Sequence, residues 1–296
     1  MKAKLFFLTL SLIVLLHGLV QSDKRIYGGY RVDITEAPYM VSIIILIETY
    51  NNGTSKVHEC GGSILKQNLI LTAAHCNVDE STREPYSAER FYVNVGTNRN
   101  DLKGGTVHRV KTVFVHPKFR NGDENYRFHD IGLLQLKDDI TLNDKSQLVK
   151  LARRGDKPKI GADCTITGYG KNPDHPGNKF LYQVHLNVIT AEQCVDELAS
   201  GTVEEVEKHN ICVKAEGKNQ CRGDSGGPVH DVSTNRQVGI VSYGAEDCTS
   251  DSPSVDTRVT DNLDYIEKVI RHTRGGGNAG VSPMAPGTNF LAWPRT

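Results

Sequence analysis

No excess of charge, no metal-binding spacing and no membrane-length apolar run occur in this sequence, and each absence removes a class of function. Basic and acidic residues balance at 35 each, and beyond Arg25 they stand at 31 against 34, a net of −3. No basic stripe is available to hold nucleic acid. Neither an HExxH nor a CxxC spacing is present, so the eleven histidines are read as not building a metal site and no cofactor is expected. The longest apolar run, Leu5 to Val20, has sixteen residues with His17 inside. A spanning helix needs about 20.

That run has another use. Lys2 and Lys4 precede it, and Val20-Gln21-Ser22 ends it in small and polar residues. This is the layout of a cleaved secretory signal rather than a retained anchor. Residues 1–22 are therefore expected to be removed, leaving a secreted protein with no membrane association. The chain beyond Arg25 is of a length that suits one large β-domain or two small ones.

Seven cysteines in a secreted chain imply disulfides with one thiol left over. They are Cys60, Cys76, Cys164, Cys194, Cys212, Cys221 and Cys248, and spacing alone does not fix their pairing.

From Met40 the chain reads as strands. Met40–Ile47 is β-branched and apolar, and Asn51-Asn52-Gly53-Thr54 after it is both a turn signal and a glycosylation sequon at Asn52. Gly61–Leu65 and Asn68–Thr72 form a hairpin pattern, and Phe91–Val95, Val107–Val115 and Ile131–Leu136 are further runs. The charged segment Asn77–Arg90 is expected on the surface. In the second half, Cys164–Gly170, Leu181–Ile189, Gln237–Tyr243 and Val255–Val259 read as strands. Thr190-Ala191-Glu192-Gln193 fits a capping box opening a short helix to about Ala199. A last helix, about Asp261 to His272, carries Leu263, Ile266, Val269 and Ile270 on one face.

Three stretches carry chemistry. In Cys221-Arg222-Gly223-Asp224-Ser225-Gly226-Gly227-Pro228-Val229, three glycines within five positions exclude a helix. They suit a tight turn whose N–H groups converge near a serine hydroxyl, the arrangement acyl transfer needs. Leu71-Thr72-Ala73-Ala74-His75-Cys76 places a histidine beside a cysteine. In His129-Asp130-Ile131-Gly132-Leu133-Leu134 an acid stands at the mouth of an apolar strand, which is costly unless a donor satisfies it. Near the start, Asp23-Lys24-Arg25 followed by Ile26-Tyr27-Gly28-Gly29 looks like an activation site, though an ordinary flexible N-terminus has similar composition.

Taken together, the order His75, Asp130, Ser225 in these contexts resembles the chymotrypsin/trypsin family of serine proteases, from Ile26 to about His272. The resemblance implies an all-β fold of two six-stranded antiparallel β-barrels with a C-terminal helix, over residues 26–273. It makes Ser225 the nucleophile, His75 the general base and Asp130 its orienting acid, with the N–H groups of Gly223 and Ser225 as the oxyanion hole. Residues 23–25 become an activation peptide: cleavage after Arg25 would free the Ile26 amine to pair with Asp224. The disulfides it implies are Cys60–Cys76, Cys194–Cys212 and Cys221–Cys248. Cys164 is then the odd thiol, because Asp231 stands where relatives often carry its partner.

The primary pocket implied by the resemblance is lined by Asn219, Ser242, Tyr243, Gly244 and Ser254. Trypsins carry an aspartate at the position of Asn219, so cleavage after neutral, medium-sized side chains is expected. Asp256 opposes this, since it could supply the missing charge from another wall. The implied partners are peptide or protein substrates, an activating protease and protein inhibitors, and the implied state is a monomer. A catalytically silent homologue that binds through the barrel surface is the alternative, and all three triad residue types being in place favours the enzyme. Residues 274–296, with Gly275-Gly276-Gly277 and the only tryptophan, Trp293, read as a disordered tail.

Overall fold

The computed structural model describes residues 26–274, apart from 50–54, 80, 122–126, 172–178, 199–200, 245–247 and 249–250. The expected signal and activation segments, the Asn52 sequon and the residues beyond Arg274 lie outside the described residues.

The first barrel is built from β2 (Met40–Thr49), β3 (Ser55–Lys66), β4 (Leu69–Thr72), β5 (Phe91–Val95), β6 (Thr106–Val115) and β9 (Gly132–Leu136). All its pairings are antiparallel and it closes in the order β2-β3-β4-β9-β6-β5. Alternation explains the closure. Val41, Ile43 and Ile45 of β2 and Val93 and Val95 of β5 turn to one interior, where Ile70 and Leu134 meet them.

The second barrel runs β11 (Tyr182–Ile189), β10 (Asp163–Gly168), β13 (Pro228–Asp231), β14 (Arg236–Tyr243), β15 (Ser254–Arg258) and β12 (Asn210–Lys214), and β12 returns to β11. A two-residue β1 (Tyr30–Arg31) adds to the outside of β11. Its core contains Cys164, Ile166, Val184, Leu186, Val213, Val229 and Val241, with Ile26 packed among them. A small hairpin of β7 (Arg120–Asn121) and β8 (Arg127–Phe128) precedes Asp130.

Among the described residues the α-helices are α1 (Ala191–Leu198), α2 (Val203–His209) and α3 (Leu263–Arg274). The capping box at α1 forms in both directions, Gln193 N–H to Thr190 Oγ1 at 3.2 Å and Thr190 N–H to Gln193 Oε1 at 3.3 Å. A 3-10 turn over Thr260–Asn262 leads into α3. This helix follows the second barrel in sequence yet buries Leu263, Ile266 and Val269 in the core of the first. It thereby straps the two halves together.

The disulfides are Cys60–Cys76, Cys194–Cys212 and Cys221–Cys248, and Cys164 is free and buried. Burial, and then the nearby Asp231 carboxylate, push the Cys164 thiol up to about 12, so it stays protonated. Asp231 sits directly opposite Cys164 across β10 and β13. It accepts from Ser233 Oγ at 2.7 Å and Thr234 N–H at 3.0 Å, capping a turn where relatives place a sulfur bridge.

Several expectations need correction. Strand β3 begins at Ser55 rather than Gly61, because residues before the glycines pair with the far end of β2. Strands β1, β12 and β13 and helix α2 were not anticipated. β12 is short and interrupted by a cysteine, and β13 begins on a proline. Asn77, expected on the surface, is fully buried.

The strapping role of α3 has a measurable consequence. Ile266→Ala should lower the unfolding free energy by about 2–5 kcal/mol in denaturant titrations. Glu267→Ala should change it by under about 0.5 kcal/mol, since that carboxylate only meets Arg154 at 3.7 Å and Arg271 at 3.8 Å on the surface. Equal losses would contradict the packing.

Candidate active site

His75 begins a 3-10 turn at the end of β4, fixed by the Cys60–Cys76 bridge beside it. Asp130 precedes β9, which pairs with β4, so strand register alone brings the two together. His75 Nδ1 lies 2.7 Å from Asp130 Oδ2, and the His75 backbone N–H donates to Oδ1 at 2.8 Å. The second barrel completes the shell: Ser242 Oγ donates to Oδ2 at 2.5 Å, and Thr257 Oγ1 donates to the Asp130 carbonyl at 3.0 Å.

Asp130 is fully buried. Burial alone would raise its pKa, but the His75 ring, the Arg127 guanidinium and the Ser242 hydroxyl outweigh that and hold the carboxyl well below the usual range. With a carboxylate on Nδ1, His75 keeps its proton there and offers Nε2 as a base.

The Ser225 turn comes from the second barrel and leans on the first. Gly226 has φ +79°, and a Cβ there would stand 2.2 Å from Thr72 Oγ1 and 2.6 Å from the Gly61 carbonyl. Only glycine permits that approach. The Gly61 N–H donates to the Ser225 carbonyl at 2.8 Å, and Gly226 N–H to Val241 at 2.8 Å. Among the described residues, the N–H groups of Gly223 and Ser225 make no hydrogen bond, and neither does the Ser225 hydroxyl. Two unengaged donors beside a free hydroxyl are what an oxyanion would need.

Asp224 points the other way, into the second barrel. It accepts from Gly170 N–H on Oδ1 and Cys221 N–H on Oδ2, both at 2.8 Å. A Cβ on Gly168 or Gly170 would fall 2.1 or 2.4 Å from its oxygens, so these glycines make room for it. Burial, only partly countered by those N–H groups, pushes its pKa up to about 7. The segment from Ile26 docks nearby. Ile26 is buried, its neighbour Tyr27 accepts the Asn219 N–H at 2.9 Å, and Gly28 packs against the Gly217 carbonyl. Arg25 lies outside the described residues.

Of the expected pocket residues, Asn219 and Ser254 are buried, and Asn219 spends its amide locally: Nδ2 donates to Ser252 O at 2.9 Å and Oδ1 accepts from Gln220 N–H at 2.9 Å. Gly244 faces Gln220 Nε2, Pro253 O and Ser254, at 3.1, 3.2 and 3.7 Å from where a Cβ would be. Ser242 is also tied to the buried acid. Its hydroxyl serves Asp130, and its carbonyl accepts from Arg127 Nη1 at 2.7 Å. Tyr243 packs with Cys194, Cys212 and Val255 in a small core.

Sequence reasoning missed Arg127, Thr257 and Gln220, none of which sits in a recognisable local pattern. Asp256 proves fully buried. Ser254 Oγ donates to its Oδ1 at 2.8 Å, while Oδ2 has no hydrogen-bond partner. Burial, opposed by the Ser254 hydroxyl and the Ser242 amide, pushes it up to about 8.

Comparison with known proteins points one way. A family model described as Trypsin matches residues 26–266. Trypsin of Simulium vittatum is 34% identical over 235 residues, 78% of this chain and 87% of that one. Trypsin 5G1 of Aedes aegypti is 31% identical, covering 84% of this chain and 86% of its own, and Hypodermin-A of Hypoderma lineatum 32%, covering 82% and 86%. Mouse brain neuropsin, a serine protease, superposes with a TM-score of 0.65 at 23% identity, covering 82% of this chain and 98% of its own, which speaks for the fold.

Asp224 gives a pH prediction for the intact chain. A carboxyl raised from 3.8 to about 7 on folding contributes stability that is full below pH 3.8 and is lost as pH rises through 7. Asp224→Asn should lessen the fall of the thermal midpoint between pH 5 and 8, leaving the share that belongs to Asp256, whose carboxyl is raised to about 8. An identical pH profile in that variant would contradict the assignment.

Proposed function

Because the chain belongs to the trypsin family of serine endopeptidases, we propose that it cleaves peptide bonds through an acyl-enzyme on Ser225. The observation that carries this reading is the buried His75–Asp130 pair, 2.7 Å apart, beside a serine turn with two unengaged N–H groups. Ser225 Oγ attacks the scissile carbonyl as His75 Nε2 takes its proton. The oxyanion then faces the Gly223 and Ser225 N–H groups, and His75 returns the proton to the leaving amine. Asp130 stays ionised throughout and stabilises the imidazolium. Water repeats the sequence to release the acid.

A serine-directed phosphonate should label the activated protein once per chain, and Ser225→Ala should abolish labelling. His75→Ala and Ser225→Ala should each lower kcat by several orders of magnitude, with the double variant little worse than either. Additive losses would mean that the two residues do not share one proton-transfer step.

The chain is further read as secreted and made as an inactive precursor, working as a monomer on peptide or protein substrates and subject to protein inhibitors. Cleavage after Arg25 by an activating protease frees the Ile26 amine. Asp224, buried with only two backbone donors among the described residues, would gain a cation from it. Arg25→Gln should therefore give a folded protein that remains nearly inactive after trypsin treatment, and full activity there would sink the idea.

For the primary pocket, the reading is a neutral floor at neutral pH. Asn219 is uncharged and internally bonded, and Asp256, lying against Ser254, holds its proton up to about pH 8. Leu or Met at the cleaved position should be preferred over Arg at pH 7. As pH rises through 8, Asp256 ionises and the Arg:Leu ratio of kcat/KM should climb, because an unpaired guanidinium is costly to bury whereas a paired one is not. Asp256→Asn should leave the ratio flat. A ratio that favours Arg more than tenfold at pH 7 would overturn the neutral pocket.

A further inference from the structure

We propose that the turn leading into Asp130 carries a site for a divalent transition-metal ion of the Zn2+ type, with His129, His209 and Asp261 as its ligands. One ligand atom from each of the three lies within 4.8 Å of the others. They come from three separate segments: the end of the β8 hairpin, the last residue of α2, and the 3-10 turn before α3. No motif spacing could reveal this, which is why the histidines had been read as not metal-binding.

The surroundings prepare the ligands. His129 adopts φ +47°, an uncommon conformation for a residue with a side chain. It is held there by Asn262, whose Oδ1 lies 3.1 Å from His129 Nδ1. That bond places the proton on Nδ1 and leaves the Nε2 lone pair available. Metal-bound imidazoles usually have a polar partner of this kind on the other nitrogen.

His116 stacks on His129 with ring centroids 4.5 Å apart and 12° between planes, and its own Nδ1 accepts from Lys118 N–H at 3.1 Å. His209 and His129 stand 4.7 Å apart and tilted by 59° rather than stacked. His209 Nδ1 lies 2.6 Å from Asp261 Oδ2, and the two side chains are 15% and 26% exposed, so an ion can enter from solvent. A bound ion would replace that hydrogen bond with a shared coordination, water filling the remaining position.

The donor set chooses the metal. Two imidazoles and one carboxylate suit Zn2+ and its neighbours, whereas Ca2+ takes six to eight oxygens. Occupancy would tie α2 to the turn that presents Asp130, whose neighbour Ile131 donates its N–H to the His129 carbonyl at 2.8 Å.

The test uses the full chain carrying Ser225→Ala and His75→Ala, so that neither autolysis nor the active-site imidazole contributes. Titration calorimetry with zinc chloride should find one ion per chain with micromolar affinity, and zinc should raise the thermal midpoint. Calcium chloride should do neither. His129→Asn, a residue type that tolerates the left-handed turn, and the more exposed His209→Gln should each weaken zinc binding at least tenfold. His185→Gln, whose ring pairs with Asp163 on the second barrel, should leave it unchanged. Absence of zinc binding, or equal affinity in both site variants, overturns the proposal.

Discussion

A carboxylate sealed from water has to be surrounded by donors, and at Asp130 those donors come from both halves of the molecule. His75 supplies two from the first barrel, and Ser242 supplies one from the second, with Thr257 on the adjoining carbonyl. Leaving out any one donor to the carboxylate would cost about 1–3 kcal/mol. The relative placement of the barrels is therefore set by the chemistry of one side chain as much as by apolar packing. Gly226 reinforces it, because its turn fits against Thr72 and Gly61 with no space for a methyl group. A shift of either barrel breaks both arrangements together.

Three buried aspartates illustrate how environment assigns a role to one residue type. Asp130 has a histidine and a hydroxyl and is held ionised. Asp224 has two backbone N–H groups and is raised to about 7. Asp256 has the Ser254 hydroxyl and the Ser242 amide set against complete burial, with no hydrogen bond on Oδ2, and is raised to about 8. Where no histidine or guanidinium stands beside the carboxyl, a few neutral donors do not offset burial and the proton is held. The latter two are destabilising as charges in the intact chain, and such groups persist where a further partner is to be gained. For Asp224 the proposed partner is a new chain terminus, whereas Asp256 stays protonated at neutral pH and would meet a substrate cation only once it ionises, above about pH 8.

The parts of this arrangement legible in the sequence were those encoded locally. His75, Asp130 and Ser225 each stand in a short stretch whose neighbours say what the turn must do, and the glycines around Ser225 announced a tight turn. Apolar alternation found most strands of the first barrel. It failed at β12 and β13, where a cysteine and a proline interrupt short strands, and at β1, which has only two residues. Periodicity also found the apolar face of α3 but not its destination, since a helical stripe says that something is covered and not what covers it. The bond from the Ser242 hydroxyl to Asp130 was not legible, because the two residues are far apart in sequence.

Histidine use shows the same limit most sharply. A metal motif is recognisable when its ligands share one helix or one loop, because spacing then fixes their geometry. His129, His209 and Asp261 share nothing in sequence and meet only because α2, the β8 hairpin and the turn before α3 converge at one edge of the barrels. That convergence follows from the same closure that delivers Ser242 and Thr257 to Asp130. Strand β15, which carries Thr257, continues through Val259 into the Asp261–Asn262 turn, and Asn262 Nδ2 donates back to the Arg258 carbonyl at 2.8 Å. The support of the buried carboxylate and the assembly of the histidine cluster are thus two ends of one short segment. Whatever fixes one end constrains the other.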